Sequence, residues 1–147
     1  MKIREAHMFD TEEIGNLCLQ LGYEVEEQLV KGNLDKLIDK QDNAIYVMEN
    51  EDSKIIGWVH VYGKHLLETK SYAEIGGLIV DQEYRRLGIG ERLMKMCEDW
   101  SVKEGYGTLR LRSGISREEA HIFYEKVGYE NVKIQKVFEK KFNINET

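Results

Sequence analysis

Arg85, Arg86, Gly88 and Gly90 fall within six residues, inside the stretch "GLIVDQEYRRLGIGERLM" (77–94), where an apolar run gives way to a helical pattern. The first amide N–H groups of a helix have no acceptor in their own helix and can serve an anion instead. Glycines remove the Cβ atoms that would hold that anion away, and the arginines and helix dipole add positive potential. These residues meet the physical requirements of a pyrophosphate site. A P-loop is excluded, because G-x-x-x-x-G-K-[ST] does not occur. A dinucleotide fingerprint would need glycine at position 93, where Leu93 stands. A glycine-closed turn carrying two solvated arginines would use the same residues, and the turn alone does not name a ligand.

The elements that must hold the turn follow from periodicity. "KIREA" alternates as a short strand. Asp10 reads as the N-cap of a helix, with Glu13 as the other half of a capping box. Ile14, Leu17, Cys18 and Leu21 then form its apolar face, and Gly22 closes it. Residues 24–40 read as a second, more acidic helix with Val25, Leu29, Leu34, Leu37 and Ile38 inward, and Gly32-Asn33 as a weak point that could break it. Strands 44–49 and 54–63 form a hairpin through "NEDS", and 72–80 is a third strand. Within it, Gly76-Gly77 predicts a bulge or a close approach by another backbone or a ligand.

Helix 90–104 carries Leu93, Cys97 and Trp100 on one face, with Met94 and Met96 beside it. Strand 107–113 follows, then helix 117–127 with Ala120, Phe123, Tyr124 and Val127 at core spacing, ending at Gly128. A last strand is expected over about 132–142. Strand 72–80, helix 90–104 and strand 107–113 form a βαβ unit, so those two strands should be parallel, while the others look antiparallel. The expected fold is α/β: one domain over 1–147, a mixed, mostly antiparallel central sheet with helices on both faces and a parallel, splayed βαβ core.

Composition narrows the classes. The chain has 147 residues, 41% hydrophobic and 33% charged, as expected of a folded domain with a real core. Its net charge of −6 argues against a general nucleic-acid binder, which needs a basic face. No apolar run is long enough for a membrane helix and "MKIREAHMF" lacks an apolar signal core, so the expectation is a cytosolic protein. Cys18 and Cys97 sit in amphipathic helical patterns and read as reduced core thiols. His60 and His65 are isolated in sequence and suggest no metal site.

Arg85-Arg86-Leu87-Gly88-Ile89-Gly90 fits [QR]-x-x-G-x-[GA], and here the chain resembles the Gcn5-related N-acetyltransferases, the GNAT family. The strand ending "LIVD" that runs into "EYRRLGIG", the "AHIFYEKVGYE" helix end and the "VME…IIGWVHV" hairpin extend the resemblance over nearly the whole chain. Residues 22–43 are its unspecific region.

The resemblance implies transfer of an acetyl group from acetyl-CoA, as co-substrate and without a metal, to an amine in a ternary complex. Such a reaction needs a neutral amine, donors for the carbonyl oxygen, and a proton for the departing thiolate. The family pattern puts pyrophosphate binding on Arg85, Arg86, Leu87, Gly88, Ile89, Gly90 and Glu91. It puts the oxyanion donor and the rail for the pantetheine arm on the backbone of Leu78, Ile79 and Val80. Tyr124 matches the tyrosine that protonates the thiolate, although its helical spacing by itself reads as core. Glu74, in "YAEIGG", resembles the glutamate base of the histone-acetyltransferase branch, with a raised pKa expected from its apolar neighbours. An ordinary solvated or arginine-paired strand glutamate, or a water chain as base, remains open beside it. Arg117 stands where many members have Asn, so no Asn role carries over; it could meet a CoA phosphate or a nearby carboxylate. His121 is expected to face a neighbouring strand.

The acceptor is expected to lie against 22–40 and 55–70. Glu24, Glu26, Glu27 and Asp35 could attract a cationic small-molecule amine or simply form a solvated face. A protein or peptide acceptor, or a non-catalytic acyl-CoA-binding module, are the other readings. The resemblance and the alternating final strand point to a homodimer. No nucleic-acid or membrane partner is expected.

Overall fold

Alternating β-branched and aromatic residues build the centre of the structure, a computed structural model that describes residues 1–144. The chain divides into two compact units, Met1–Arg112 and Ser113–Thr147. In the first, strands β1 (Lys2–Glu5), β2 (Asn43–Glu49), β3 (Ile55–Lys64), β4 (Tyr72–Val80) and β5 (Leu109–Arg110) line up in that order as one sheet. Each neighbouring pair is antiparallel except β4 and β5, which are parallel. Helix α3 (Ile89–Lys103) makes the crossover between them. This is the mixed sheet and βαβ unit that periodicity predicted.

Helices cover both faces. α1 (Thr11–Gln20) and α2 (Glu27–Ile38) bury Ile14, Leu17, Cys18 and Leu34 against Val47, Ile55 and Ile79, with Val30, Ile38, Ile45 and Trp58 packed around them. On the opposite face α3 buries Ile89, Leu93, Met94, Cys97 and Trp100. It lies so close to β3 that a Cβ on Gly57 would stand 3.2 Å from Leu93 Cδ1. Each fully buried Leu or Ile contributes roughly 1.5–3 kcal/mol. Cys18 and Cys97 are buried free thiols, and no described helix is long and apolar enough to cross a membrane.

Several local expectations give way to tertiary interactions. Asp10 does not cap α1 with its side chain; its carboxylate instead takes two hydrogen bonds from Arg4, both 2.8 Å, and one from the His7 N–H. A guanidinium fork on β1 offers a carboxylate more than a single helical amide can. Glu13 accepts instead from the Ile55 N–H on β3. α2 runs unbroken through Gly32 and Asn33, because burial of Leu34, Val30 and Ile38 outweighs the ~1 kcal/mol that a helical glycine costs. Leu29 is exposed rather than inward.

In the second unit α4 (Glu118–Lys126) ends where Gly128 adopts φ +100°. The strand expected over 132–142 is absent. Described residues from 130 onward carry no regular structure, and Val132, Ile134, Phe138 and Phe142 are exposed. Their alternation suits a strand, but a strand requires a ladder neighbour, and among the described residues the second unit contains no other strand to provide one. The expected 107–113 strand likewise shortens to Leu109–Arg110, the two residues that face β4.

Candidate active site

β4 is the element on which the site is built. It is paired along its length with β3, but on its other side only Ala73 and Glu74 meet β5. From Ile75 to Val80, β4 therefore has no strand partner on that side among the described residues, and its backbone groups there are available to an extended ligand. The ladder with β3 breaks between His60 and Val61: Gly77 pairs with His60 and Ile75 with Val61, which leaves Gly76 unpaired. The glycine pair thus makes the expected bulge. Of the three residues expected on the rail, Ile79 is 6% exposed with its side chain in the core, so it can offer a ligand only its backbone.

β4 runs into the Arg-Gly turn, which is tightly held. The Asp81 N–H donates to the Ile56 carbonyl at 2.8 Å, and its carboxylate accepts from the Glu83 N–H at 3.0 Å. Asn50 donates to the Tyr84 hydroxyl, while Gln82 exchanges two hydrogen bonds with Gln20 at the end of α1. Arg86 (φ +67°) and Gly88 (φ +77°) both take left-handed backbone, a conformation glycine adopts freely and arginine at a cost. The first helical bond of α3 runs from the Arg92 N–H to the Gly88 carbonyl. The amides of Ile89, Gly90 and Glu91 therefore precede the helical ladder, beside the exposed Arg85, Arg86, Leu87 and Gly88. These residues fit a pyrophosphate: a Cβ at Gly88 would find nothing within 4 Å, so the turn leaves room beside the two exposed arginines.

Glu74 does not lie in an apolar pocket. It is 3% exposed and faces three donors: the Tyr62 hydroxyl, Lys64 Nζ at 3.3 Å and Arg112 Nε at 3.2 Å. Burial works to raise its pKa, but the Tyr62 hydrogen bond and the charges of Lys64 and Arg112 prevail and hold it below the ordinary carboxylate value. The raised pKa expected from sequence is thus reversed, since two cations on β3 and beyond β5 could not be seen beside "AEI". Burial and the Glu74 carboxylate together push the Tyr62 hydroxyl up to about 12.

His60, which sequence reading set aside as isolated, sits on β3 two residues before Tyr62 and directly across from Gly77. Its Nε2 lies 3.1 Å from Asn43 Oδ1. Burial lowers its pKa, and the nearby charge of Lys40 acts in the same direction. The signal that could have found it is a histidine between Trp58 and Tyr62 on a strand that faces a double glycine.

A separate polar cluster ties three loops together. The Tyr106 hydroxyl donates to Asp42 at 2.5 Å, His65 Nε2 lies 2.8 Å from the same carboxylate, and His65 Nδ1 lies 2.7 Å from the Ser71 hydroxyl. Gly63 lies beneath this cluster; a Cβ there would collide with both the Tyr106 hydroxyl and the Asp42 carboxylate.

In the second unit, Tyr124 is half-buried on α4, in edge contact with Phe123 (5.2 Å) and Tyr129 (6.3 Å). Burial raises its pKa, against a smaller opposing effect of Arg117, so the phenol is protonated at neutral pH. Arg117 precedes α4 and has no carboxylate partner among the described residues. His121 Nε2 lies 2.9 Å from the Gly114 carbonyl, which ties α4 to the loop before it.

Comparison with known proteins agrees with this architecture. The sequence model of the "Acetyltransferase (GNAT) family" matches residues 9–129. Uncharacterized N-acetyltransferase YhdJ of Bacillus subtilis is 38% identical over 56 residues, 37% of this chain and 39% of that protein. Aminoalkylphosphonate N-acetyltransferase of Salmonella typhimurium is 28% identical over 131 residues, 87% of this chain and 84% of its own. The chain spans less than half the length of the first curated relatives it matches. Among solved structures, aminoglycoside 6'-N-acetyltransferase AAC(6')-Ih of Acinetobacter baumannii superimposes with a TM-score of 0.85 at 17% identity, covering 97% of this chain and 99% of that one, which is a likeness of fold. With a β4 edge that opens toward β5, an Arg-Gly turn at the head of α3 and a family match over residues 9–129, the chain belongs to the acetyltransferase (GNAT) family, a family of acyltransferases.

Proposed function

We propose that this protein transfers the acetyl group of acetyl-CoA to a primary amine of a small molecule, by direct attack within a ternary complex. The observation that carries the reading is the β4 edge: from Ile75 to Val80 it has no partner on the β5 side, and it leads straight into the free amides of Ile89, Gly90 and Glu91. An extended pantetheine arm would add to that edge as a strand does, with its pyrophosphate at the head of α3 beside Arg85 and Arg86. The carbonyl oxygen would meet a backbone N–H between Leu78 and Val80, where a preorganised donor is worth about 3 kcal/mol to the transition state.

Tyr124 is the proposed acid for the leaving thiolate. Its motif position supports the role, and a phenol kept protonated by burial has the proton to give. A small-molecule amine as acceptor is supported by the aminoalkylphosphonate named for the Salmonella relative, while the exposed Glu24, Glu26, Glu27 and Asp35 favour a cationic amine.

The test is acetyl-CoA turnover, followed by release of the CoA thiol, against kanamycin, spermidine, 2-aminoethylphosphonate and a lysine-containing peptide. Transfer to one of the three small amines with none to the peptide is the expected result. Peptide-only transfer would move the acceptor class to proteins, and CoA binding without any transfer would leave a binding module.

A further inference from the structure

The side-chain amide of Asn43 has a defined orientation. Its Nδ2 donates to the Leu37 carbonyl at 3.1 Å and to the Lys40 carbonyl at 2.8 Å. Oδ1 is therefore the atom that faces His60 Nε2 at 3.1 Å. An amide oxygen only accepts, so Nε2 carries the ring hydrogen and Nδ1 is the basic nitrogen. Nδ1 makes no hydrogen bond among the described residues.

That free lone pair faces Gly76. A Cβ on Gly76 would stand 2.9 Å from Nδ1 and 3.6 Å from Cε1, so the imidazole edge occupies the space that the missing side chain leaves. Gly76 is the exposed, unpaired residue of the bulge, at the head of the β4 stretch with no neighbour on the β5 side. The ring is thus anchored at one nitrogen and presents the other to the point where an incoming thioester would begin. Burial and Lys40 keep it neutral at pH 7. The other ionisable groups on this face are Tyr62, its ring 5.6 Å away, and Glu74 with Lys64 and Arg112. Glu74 is a poor acceptor of a proton, because three donors already stabilise its charged form.

Given the acetyl transfer proposed above, we infer that His60 Nδ1 is the base that takes the proton of the acceptor ammonium, and that Glu74 is a positioning anion holding Tyr62, Lys64 and Arg112. The ammonium N–H bond breaks and its proton passes to Nδ1. The freed lone pair forms the C–N bond as the C–S bond breaks, and the thiolate takes the Tyr124 proton. Attack leaves two hydrogens on the product nitrogen; one returns to the Tyr124 phenolate as the neutral amide forms, and the imidazolium gives its proton to solvent, so each turnover releases one proton net.

The experiment compares wild type with His60→Gln on kanamycin, spermidine and 2-aminoethylphosphonate. Glutamine keeps a donor for Asn43 but has no basic nitrogen. The expected loss in kcat is about 100-fold, the usual worth of a general base, with CoA affinity unchanged within about twofold. Wild-type kcat/KM should be flat between the pH at which His60 becomes neutral and the pKa of the amine, whereas the variant should climb tenfold per pH unit over that interval. Nitrogen-15 NMR of wild-type His60 should show the Nε2–H tautomer at pH 7 without any turnover. An Nδ1–H tautomer, an imidazolium at pH 7, or a variant profile that stays flat would each overturn the assignment. Wild-type protein that transfers to none of the three amines would overturn the proposed activity and the assignment with it. Transfer undiminished in His60→Gln would remove only His60.

Discussion

Gly76 and His60 share one space: the bulged glycine has no side chain and no partner on β3, and the imidazole lies where its Cβ would be, with Nδ1 2.9 Å from that point. The next glycine has the same relation to Trp58, whose Cη2 would stand 2.8 Å from a Cβ on Gly77. The double glycine is thus required by the aromatic face of β3 as well as by the bulge.

Replacement at the two positions should separate. Trp58 is packed into the core under α1 and α2, so Gly77→Ala is expected to lose roughly 1–3 kcal/mol by overpacking. The His60 ring can pivot about its bond to Asn43, so Gly76→Ala should cost less stability but displace Nδ1 and lower kcat. Urea unfolding and kcat on the two variants check this; equal stability losses would contradict it.

Tyr124→Phe should lower kcat about 100-fold, the low end for loss of a general acid, while acetyl-CoA affinity stays within twofold. The phenol is half-buried against Phe123 and Tyr129, and phenylalanine keeps both ring contacts. Steady-state kinetics beside calorimetric CoA titration decide it. A matched fall in affinity would make Tyr124 a packing residue.

Arg85→Ala and Arg86→Ala together should weaken CoA about tenfold or more, since a charge-assisted phosphate contact is worth about 1.5–3 kcal/mol. Both side chains are exposed on the turn, so the melting temperature should move little. Wild-type affinity should also fall with added salt, and that slope should shrink in the double variant. Unchanged affinity would leave the amides of α3 as the whole anion site.

Acid should unfold the protein through Asp10 and Glu74. For each, burial pushes the pKa up; Arg4 and the His7 N–H overcome that at Asp10, as Tyr62, Lys64 and Arg112 do at Glu74. A carboxylate whose folded pKa lies below its unfolded value adds stability that is fully present above the unfolded value and disappears as pH falls through the folded one. The ordinary values are 3.8 and 4.5, so stability should be level above about pH 5 and decline beneath about pH 4. Asp10→Ala should cost about 3 kcal/mol at pH 7, as breaking a buried pair does, and flatten the acid decline. Urea midpoints from pH 3 to 7 measure both effects.

The sheet, its one parallel pair and the Arg-Gly turn could be read from the sequence because each depends on local pattern: β-branched and aromatic runs in β2 to β4, a 3.6-residue period in α3, glycine at the bulge. What could not be read depends on charge partners far apart in the chain. Glu74 meets Arg112 38 residues on. Asp10 is drawn from its cap by Arg4, only six residues earlier, but across a turn that local periodicity does not specify. The histidine missed at position 60 has the same cause. Its tautomer is set by Asn43, seventeen residues earlier, whose own amide is set by the carbonyls of Leu37 in the last turn of α2 and Lys40 just after it. The final strand failed for a different reason: its apolar alternation is genuine, but alternation specifies a face and cannot supply a neighbour.

The polar cluster above Gly63 constrains how this chain can evolve. Tyr106 and Asp42 hydrogen-bond across the space that any side chain at position 63 would need. A side chain gained there would have to push the ends of both aside, at the expense of the bond between them. Substitutions at 42, 63 and 106 are therefore coupled rather than independent. Gly63→Ala introduced alone should cost about 1 kcal/mol, the worth of the hydrogen bond it displaces, and less once Tyr106 is already phenylalanine and Asp42 alanine.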